Sequence, residues 1–198
     1  MGKWIDEGKK KVWEGDFSEV WIAKFITPKG EKIKWEYLRI KSKDSKVVSV
    51  IPITPEKEFV LVKQFRGTRN KYVIEFPAGK AGDNESLVQA AQRELIEETG
   101  YQAGKFNRLC PEGPFAPGSV ENTLSYFLAA DLKFVGRKKS SDVAEDDMEI
   151  LKLPIGEAND ALKKIFYKKS GVEIDVKVWL MIAYVKFFIE KKFLWDLI

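Results

Sequence analysis

The first third of the chain alternates hydrophobic and polar positions with the period of strands. Residues 20–26 are apolar with one lysine, and Pro28-Lys29-Gly30 makes a turn. Ile33, Trp35 and Tyr37 then alternate with Lys34, Glu36 and Leu38. Apolar residues at every second position around a glycine-bearing turn predict a hairpin. Residues 47–53 and 59–64 flank Pro55-Glu56-Lys57-Glu58 and predict a second strand pair around a turn. Residues 73–76 predict a short strand ending at Pro77, and residues 125–130 and 148–153 predict two more. Elsewhere the period lengthens. Leu87, Ala91 and Leu95 recur at i, i+4 and i+8, helped by Val88 and Ala90. Asp83 and Asn84 are N-cap candidates ahead of them, and Gly100 is suited to a left-handed C-terminal position. Together they predict a helix over about residues 85–99. Residues 158–167 and 175–191 predict two further helices. The last is apolar on nearly all sides, as in a helix buried in the core or against a partner chain.

Strands and helices alternate loosely, which predicts a mixed α/β (α+β) fold with a largely antiparallel component. No internal repeat or low-complexity linker interrupts it. The polar stretch 41–46, Lys-Ser-Lys-Asp-Ser-Lys, is the weakest boundary. It divides an N-terminal antiparallel β subdomain, residues 1–45, from residues 46–198. With 198 residues, the chain is long enough to bury a core without disulfide or metal staples.

Composition narrows the chemistry. Histidine is absent, which excludes Ser-His-Asp and Cys-His mechanisms and imidazole zinc sites. The single cysteine, Cys110, excludes an internal disulfide framework and points to a reducing compartment. Reaction chemistry is left to carboxylates, lysines, tyrosines, backbone amides or a metal held by oxygen. The 34 Lys+Arg against 30 Asp+Glu leave a net +4, and the lysines are scattered, which fits a solvated surface and not a nucleic-acid stripe. The start, Met1-Gly2-Lys3-Trp4-Ile5-Asp6, has no apolar signal-peptide core. The longest apolar run, residues 178–185, is far short of a bilayer span. The expectation is a cytoplasmic protein with no nucleic-acid or membrane partner.

The most informative stretch is residues 79–101, GKAGDNESLVQAAQRELIEETGY. Glu94, Glu97 and Glu98 lie at i, i+3 and i+4, so their carboxylates share one turn of the helix. They repel one another and sit toward the C-terminal end, where the helix dipole disfavours anions. Such a cluster is stabilised by a cation, and hard oxygen donors suit Mg²⁺ or Mn²⁺. The plain alternative is a solvated acidic face with Arg93 pairing Glu97. The full spacing argues against it: Gly79, Glu85, Arg93-Glu94, Glu97-Glu98 and Gly100, with Leu95 and Tyr101 apolar, fit G-x5-E-x7-R-E-U-x-E-E-x-G-U, where U is a bulky apolar residue. Seven fixed identities at ordinary residue frequencies coincide on the order of once in 10⁸–10⁹ starting positions.

This pattern resembles the Nudix box, and the chain resembles the ADP-ribose pyrophosphatase subgroup of the Nudix hydrolases over roughly residues 20–195. Val62-Lys63-Gln64-Phe65-Arg66, Glu75-Phe76-Pro77-Ala78-Gly79, Ala116-Pro117-Gly118 and Asp147-Met148-Glu149-Ile150 carry the likeness outside the box. Pro117 stands sixteen residues after Tyr101, as the subgroup's marker proline does. The resemblance implies a Nudix α/β/α sandwich with a mixed sheet and an N-terminal antiparallel β subdomain. It also implies Mg²⁺- or Mn²⁺-dependent hydrolysis of ADP-ribose or a related nucleoside diphosphate sugar by a homodimer.

By the same resemblance, Glu94 and Glu98 with the Ala78 carbonyl are metal ligands, Glu97 is a ligand or water-holder, Arg93 orients the carboxylates, and Glu85 steadies the loop. The general base is a carboxylate or a metal-held hydroxide. Glu145 is the candidate, as the glutamate of the acidic loop Glu145-Asp146-Asp147. The subgroup often has a glutamate five residues past the proline, against the sugar. Here Asn122 stands there, so either the adjacent Glu121 substitutes or the sugar specificity differs. Trp35 and Glu36 are candidates for nucleobase contacts, or Trp35 and Tyr37 are plain core or interface aromatics. Arg66 is a candidate for phosphate contact, since a guanidinium is bidentate toward phosphate oxygens. Rival readings are a Nudix enzyme for dinucleoside polyphosphates or capped RNA, which does not need the Pro117 marker, and a nucleotide-sugar sensor. A sensor would usually have lost box glutamates, and all are present here.

Overall fold

The computed structural model describes residues 2–41, 45–137, 147–168 and 171–191. The first expected hairpin is there. Strands β2 (Ser18–Ile26) and β3 (Lys32–Ile40) run antiparallel, with Ala23 opposite Trp35 and Trp21 opposite Tyr37. An additional strand, β1 (Ile5–Glu14), pairs antiparallel with β2 and is exposed at every position. The hydropathy pattern hid it because two register shifts break its period of two, and an edge strand with both faces wet needs no alternation.

The second expected hairpin does not form. β4 (Lys46–Pro52) and β5 (Glu58–Arg66) enter different sheets and share only an isolated bridge between Ile53 and Phe59. Both strands are apolar on both faces, so each requires neighbours on two sides and cover above and below. β4 takes a central place in an eight-stranded mixed sheet of order β1-β2-β3-β10-β4-β7, beside β10 (Val120–Phe134) and β7 (Ala78–Lys80). β8 (Tyr101–Arg108) and β9 (Gly113–Ala116) also pair with β10. β5 lies within a four-stranded sheet of order β11-β5-β6-β12, with β6 (Lys71–Glu75), β11 (Glu149–Pro154) and β12 (Glu173–Ile174).

Alternation along these strands divides the interior in two. Val48 and Val50 of β4, Val60 of β5 and Phe127 and Ala129 of β10 pack with Ala90, Ala91 and Leu95 of α1 (Leu87–Thr99). Ile51, Ile53, Phe59, Leu61 and Leu128 join Leu162 of α2 (Ala158–Tyr167) and Val178, Ile182 and Val185 of α3 (Val176–Glu190). Helices thus cover both faces of the sheet layers, giving the expected α/β/α sandwich. α3 buries one stripe only, and Leu180 and Phe187 on its other side are exposed.

α1 begins two residues later than expected. Its N-cap is Ser86, not Asp83 or Asn84. The Ser86 hydroxyl accepts from Gln89 N–H, and the Gln89 side chain accepts from Ser86 N–H at 2.9 Å. This reciprocal pairing satisfies two otherwise orphaned donors and outweighs a plain cap. Gly100 ends the helix at φ 75°, as expected. Val88, counted with the apolar stripe, faces solvent.

Candidate active site

The turn of α1 bearing Glu94, Glu97 and Glu98 packs against β7. Glu94 and Glu98 are buried at 7% and 2% exposure, in the company of Ala90, Ala91 and Leu95. Burying a carboxylate is costly unless it is partnered. Glu98 Oε2 accepts from Ala78 N–H at 3.3 Å, and Glu94 Oε1 accepts from Arg93 Nη1 at 2.8 Å. The same Nη1 reaches Glu97 Oε2 at 3.0 Å. Because the helix starts at Leu87, Glu85 stays in the preceding loop and folds back on Arg93. The pair is bidentate, with Nε to Oε1 at 2.9 Å and Nη2 to Oε2 at 3.0 Å. Nη2 also donates to Lys80 O at 2.8 Å, tying the guanidinium to β7.

Planar, two-pronged bonding of this kind fixes orientation as well as charge. Its electrostatic effect runs both ways. The Glu85 pair, above all, holds the Arg93 guanidinium far up, and the Arg93 bond holds the Glu85 carboxyl below the ordinary carboxylate range. Gly79 is where β7 meets this cluster. A Cβ there would lie 1.9 Å from Glu94 Oε1, so only glycine leaves the Glu94 carboxylate its place.

The donors suit a hard divalent cation. They are oxygens only, two of the carboxylates are buried, and three carboxylates (Glu85, Glu94, Glu97) meet one guanidinium while the fourth, Glu98, accepts from the Ala78 N–H. Glu94, Glu97 and Glu98 would hold such an ion, with the Ala78 carbonyl. Among the described residues no three acidic side chains are grouped as a ready-made cage, since Arg93 engages Glu94 and Glu97 while Ala78 engages Glu98.

Glu145 lies outside the described residues, but both flanks of its segment are placed. Arg137 donates to Glu97 O and to Met148 O, each at 3.1 Å, so the chain leaves and returns beside the last turn of α1. Tyr72 donates to Asp147 Oδ2 at 2.7 Å and anchors the returning side on β6. No motif or spacing marks Arg137, because its partners are backbone carbonyls distant along the chain.

The expected substrate-binding residues separate into distinct places. Trp35 and Glu121 line one cavity of about 540 Å³, with Tyr37 and Pro117, on one face of the β1–β3 sheet. Trp35 Nε1 donates to Gly118 O at 3.0 Å. Glu36 is exposed and, next to Trp35 on the same strand, belongs to the opposite face. Asn122 is fully buried. Its Oδ1 accepts from Ile40 N–H at 2.9 Å and its Nδ2 donates to Ser45 O at 3.0 Å. Asn122 therefore staples β3 to the start of β4, and Glu121, one residue earlier, faces the cavity, which Asp6 also lines. Arg66 lines a separate cavity of about 270 Å³, and its Nε is held by Glu75 Oε2 at 2.6 Å.

A helix that presents buried carboxylates and an arginine clamp to a glycine-bearing strand of a mixed sheet defines a Nudix pyrophosphatase. The chain belongs to the Nudix family, matching the NUDIX domain over residues 43–167. It is 30% identical over 179 residues to the ADP-ribose pyrophosphatase of Bacillus subtilis (strain 168), covering 90% of each chain. It is 32% identical over 190 residues to the ADP-sugar pyrophosphatase of Mus musculus, covering 90% of this chain and 85% of that one. Among solved structures it resembles an ADP compounds hydrolase at TM-score 0.71 and 20% identity, over 82% of this chain and 84% of that one, a likeness of fold. No helix among the described residues is long and apolar enough to cross a membrane.

Proposed function

We propose that this Nudix enzyme hydrolyses the diphosphate of ADP-ribose or a related nucleoside diphosphate sugar, giving a nucleoside monophosphate and a sugar phosphate, with Mg²⁺ or Mn²⁺. The observation that carries the reading is the pair of buried carboxylates, Glu94 seated against Gly79 and bonded by Arg93, and Glu98 held by the Ala78 N–H. A divalent ion bound there supplies charge neutralisation for the diphosphate and lowers the pKa of a bound water. Arg93 keeps the carboxylates oriented, Arg66 contacts phosphate, and Glu145 takes the proton of the attacking water. Pro117 and Glu121 beside Trp35 support a sugar-linked nucleotide as substrate, and so do the names of the two pyrophosphatase relatives.

The reading extends to assembly. Trp4, Val12, Trp13, Trp35 and Leu38 are exposed on β1–β3 and its approach, and an apolar surface of this kind is covered by a partner in most soluble proteins. Residues 1–45 serve as the dimerisation element of a cytoplasmic homodimer, with Trp35 or Glu36 of one chain in reach of the nucleotide held by the other. A panel of nucleoside diphosphate sugars with Mg²⁺, read by phosphate release after alkaline phosphatase coupling, tests the activity. Release from ADP-ribose at a rate well above that from dinucleoside polyphosphates is expected, and release from none of the sugars overturns the reading. Tm is expected to rise with Mg²⁺ as RT ln(1 + [Mg²⁺]/Kd) adds to stability, and a flat titration counts against the metal site. Light scattering at micromolar concentration is expected to give twice the chain mass.

A further inference from the structure

β1 departs from regular alternation at two places, and the first departure moves a charge. Asp6 pairs with Phe25 and Lys9 with Ala23, so three steps along β1 match two along β2. The extra residue is a β-bulge. Gly8 takes φ 99° and donates its N–H to Asp6 Oδ1 at 2.7 Å. Phe25 and Ala23 lie two apart and share a face, so Asp6 and Lys9 face the same side, where an unbulged strand would put them on opposite sides. That side is the cavity walled by Trp4, Phe25, Trp35 and Tyr37.

Within the cavity, Lys9 Nζ meets Glu121 Oε1 at 3.1 Å and lies 5.5 Å from the Trp21 ring centroid. Arg39 Nε lies 3.5 Å from the other carboxylate oxygen but makes its hydrogen bond to Ser45 Oγ at 2.9 Å. Lys9 is thus the nearer cation on Glu121, whose backbone is already pinned by its neighbour Asn122.

We propose that Lys9, delivered by the Gly8 bulge, is a positioning residue that aims the Glu121 carboxylate at the hydrogen-bond donors of the nucleotide bound in the aromatic cavity. The inference rests on the nucleoside diphosphate sugar reading above and adds to it the residue that sets how tightly the cavity holds its ligand. The bond to Glu121 raises the Lys9 pKa, so the ammonium stays charged throughout the neutral range.

The test is a double-mutant cycle on the full chain with Lys9→Met, Glu121→Gln and both together. Binding of ADP-ribose is followed in EDTA by tryptophan fluorescence, and turnover with Mg²⁺ is measured in parallel. Lys9→Met is expected to weaken binding about fivefold to tenfold, and to raise KM by more than it lowers kcat. In the Glu121→Gln background the same change is expected to cost less than about twofold, because positions that act through one another are not additive. Lys9→Arg, which keeps the cation, is expected to recover most of the affinity. Lys10→Met, one residue on and facing the other side opposite Ile22, is expected to behave as wild type with the same loss of charge. Additive effects, an unchanged Kd in Lys9→Met, or no fluorescence response of the wild type each overturn the proposal. A wild type that binds but does not cleave overturns the functional reading instead, and the cycle still decides the role of Lys9.

Discussion

Gly79→Ala isolates the geometry of the carboxylate-bearing turn from every other property of the loop. The backbone at Gly79 does not have a positive φ, so alanine meets no conformational barrier there. The whole effect is steric. The new Cβ would lie 1.9 Å from Glu94 Oε1, 2.1 Å from its Cδ and 2.5 Å from Oε2. Restoring ordinary contact requires a displacement of about 1.5 Å, which breaks the 2.8 Å bond from Arg93. The carboxylate is the far end of a side chain and can swing, so the stability cost is modest, about 1–2 kcal/mol for overpacking. Activity is affected more. A misplacement of this size in a catalytic group costs about 10²-fold in rate, equivalent to about 2.7 kcal/mol of transition-state stabilisation. The control is Gly82→Ala in the same loop, where the added Cβ would stand 3.5 Å from Glu85 Oε2, an ordinary contact. Steady-state kinetics with Mg²⁺ and thermal melts of both variants make the comparison. A folded Gly79→Ala protein with kcat within about twofold of wild type would refute the reasoning, because it would show that the seat of Glu94 does not matter.

Glu98→Gln is expected to lower kcat by about 10²–10³ while the melt stays cooperative, comparable to losing a strong electrostatic stabiliser; near-normal turnover at saturating Mg²⁺ removes Glu98 from the site. Glu145→Gln is expected to lower kcat with an unaltered Mg²⁺ dependence, and a raised Mg²⁺ requirement would make it a ligand instead of the base. Asn122→Ala leaves Ile40 N–H and Ser45 O without their partner, and is expected to cost about 2–3 kcal/mol, or roughly 5–10 °C in Tm. The Glu85 carboxyl is held down by Arg93, so its contribution to stability is complete above the ordinary carboxylate pKa of about 4.3 and is lost as pH falls through the lower folded value. The Tm gap between wild type and Glu85→Gln is therefore expected to be steady at neutral pH and to close in acid; a gap that widens below about pH 4 contradicts the sign.

The candidate site of this protein is legible in one dimension because the box residues lie within a single helix and the loop before it. Residues at i, i+3 and i+4 share a turn whatever the rest of the chain does, so Glu94, Glu97 and Glu98 were placed together by sequence alone, and Gly100 marked the end of their helix. Absent histidine and oxygen-only donors already restricted the mechanism. Strand pairing was not determined this way. Residues 47–53 and 59–64 are as good a hairpin by pattern as β2 and β3, yet a run apolar on both faces records only that it is buried, not beside which strand. Tertiary packing alone decided that β4 and β5 part into two sheets. It also assigned Asn122 to the structure and Glu121 to the cavity, and gave Arg137 its hold on Glu97 and Met148. Each of these depends on partners from 11 to 112 residues away, and no local period encodes contacts at that range.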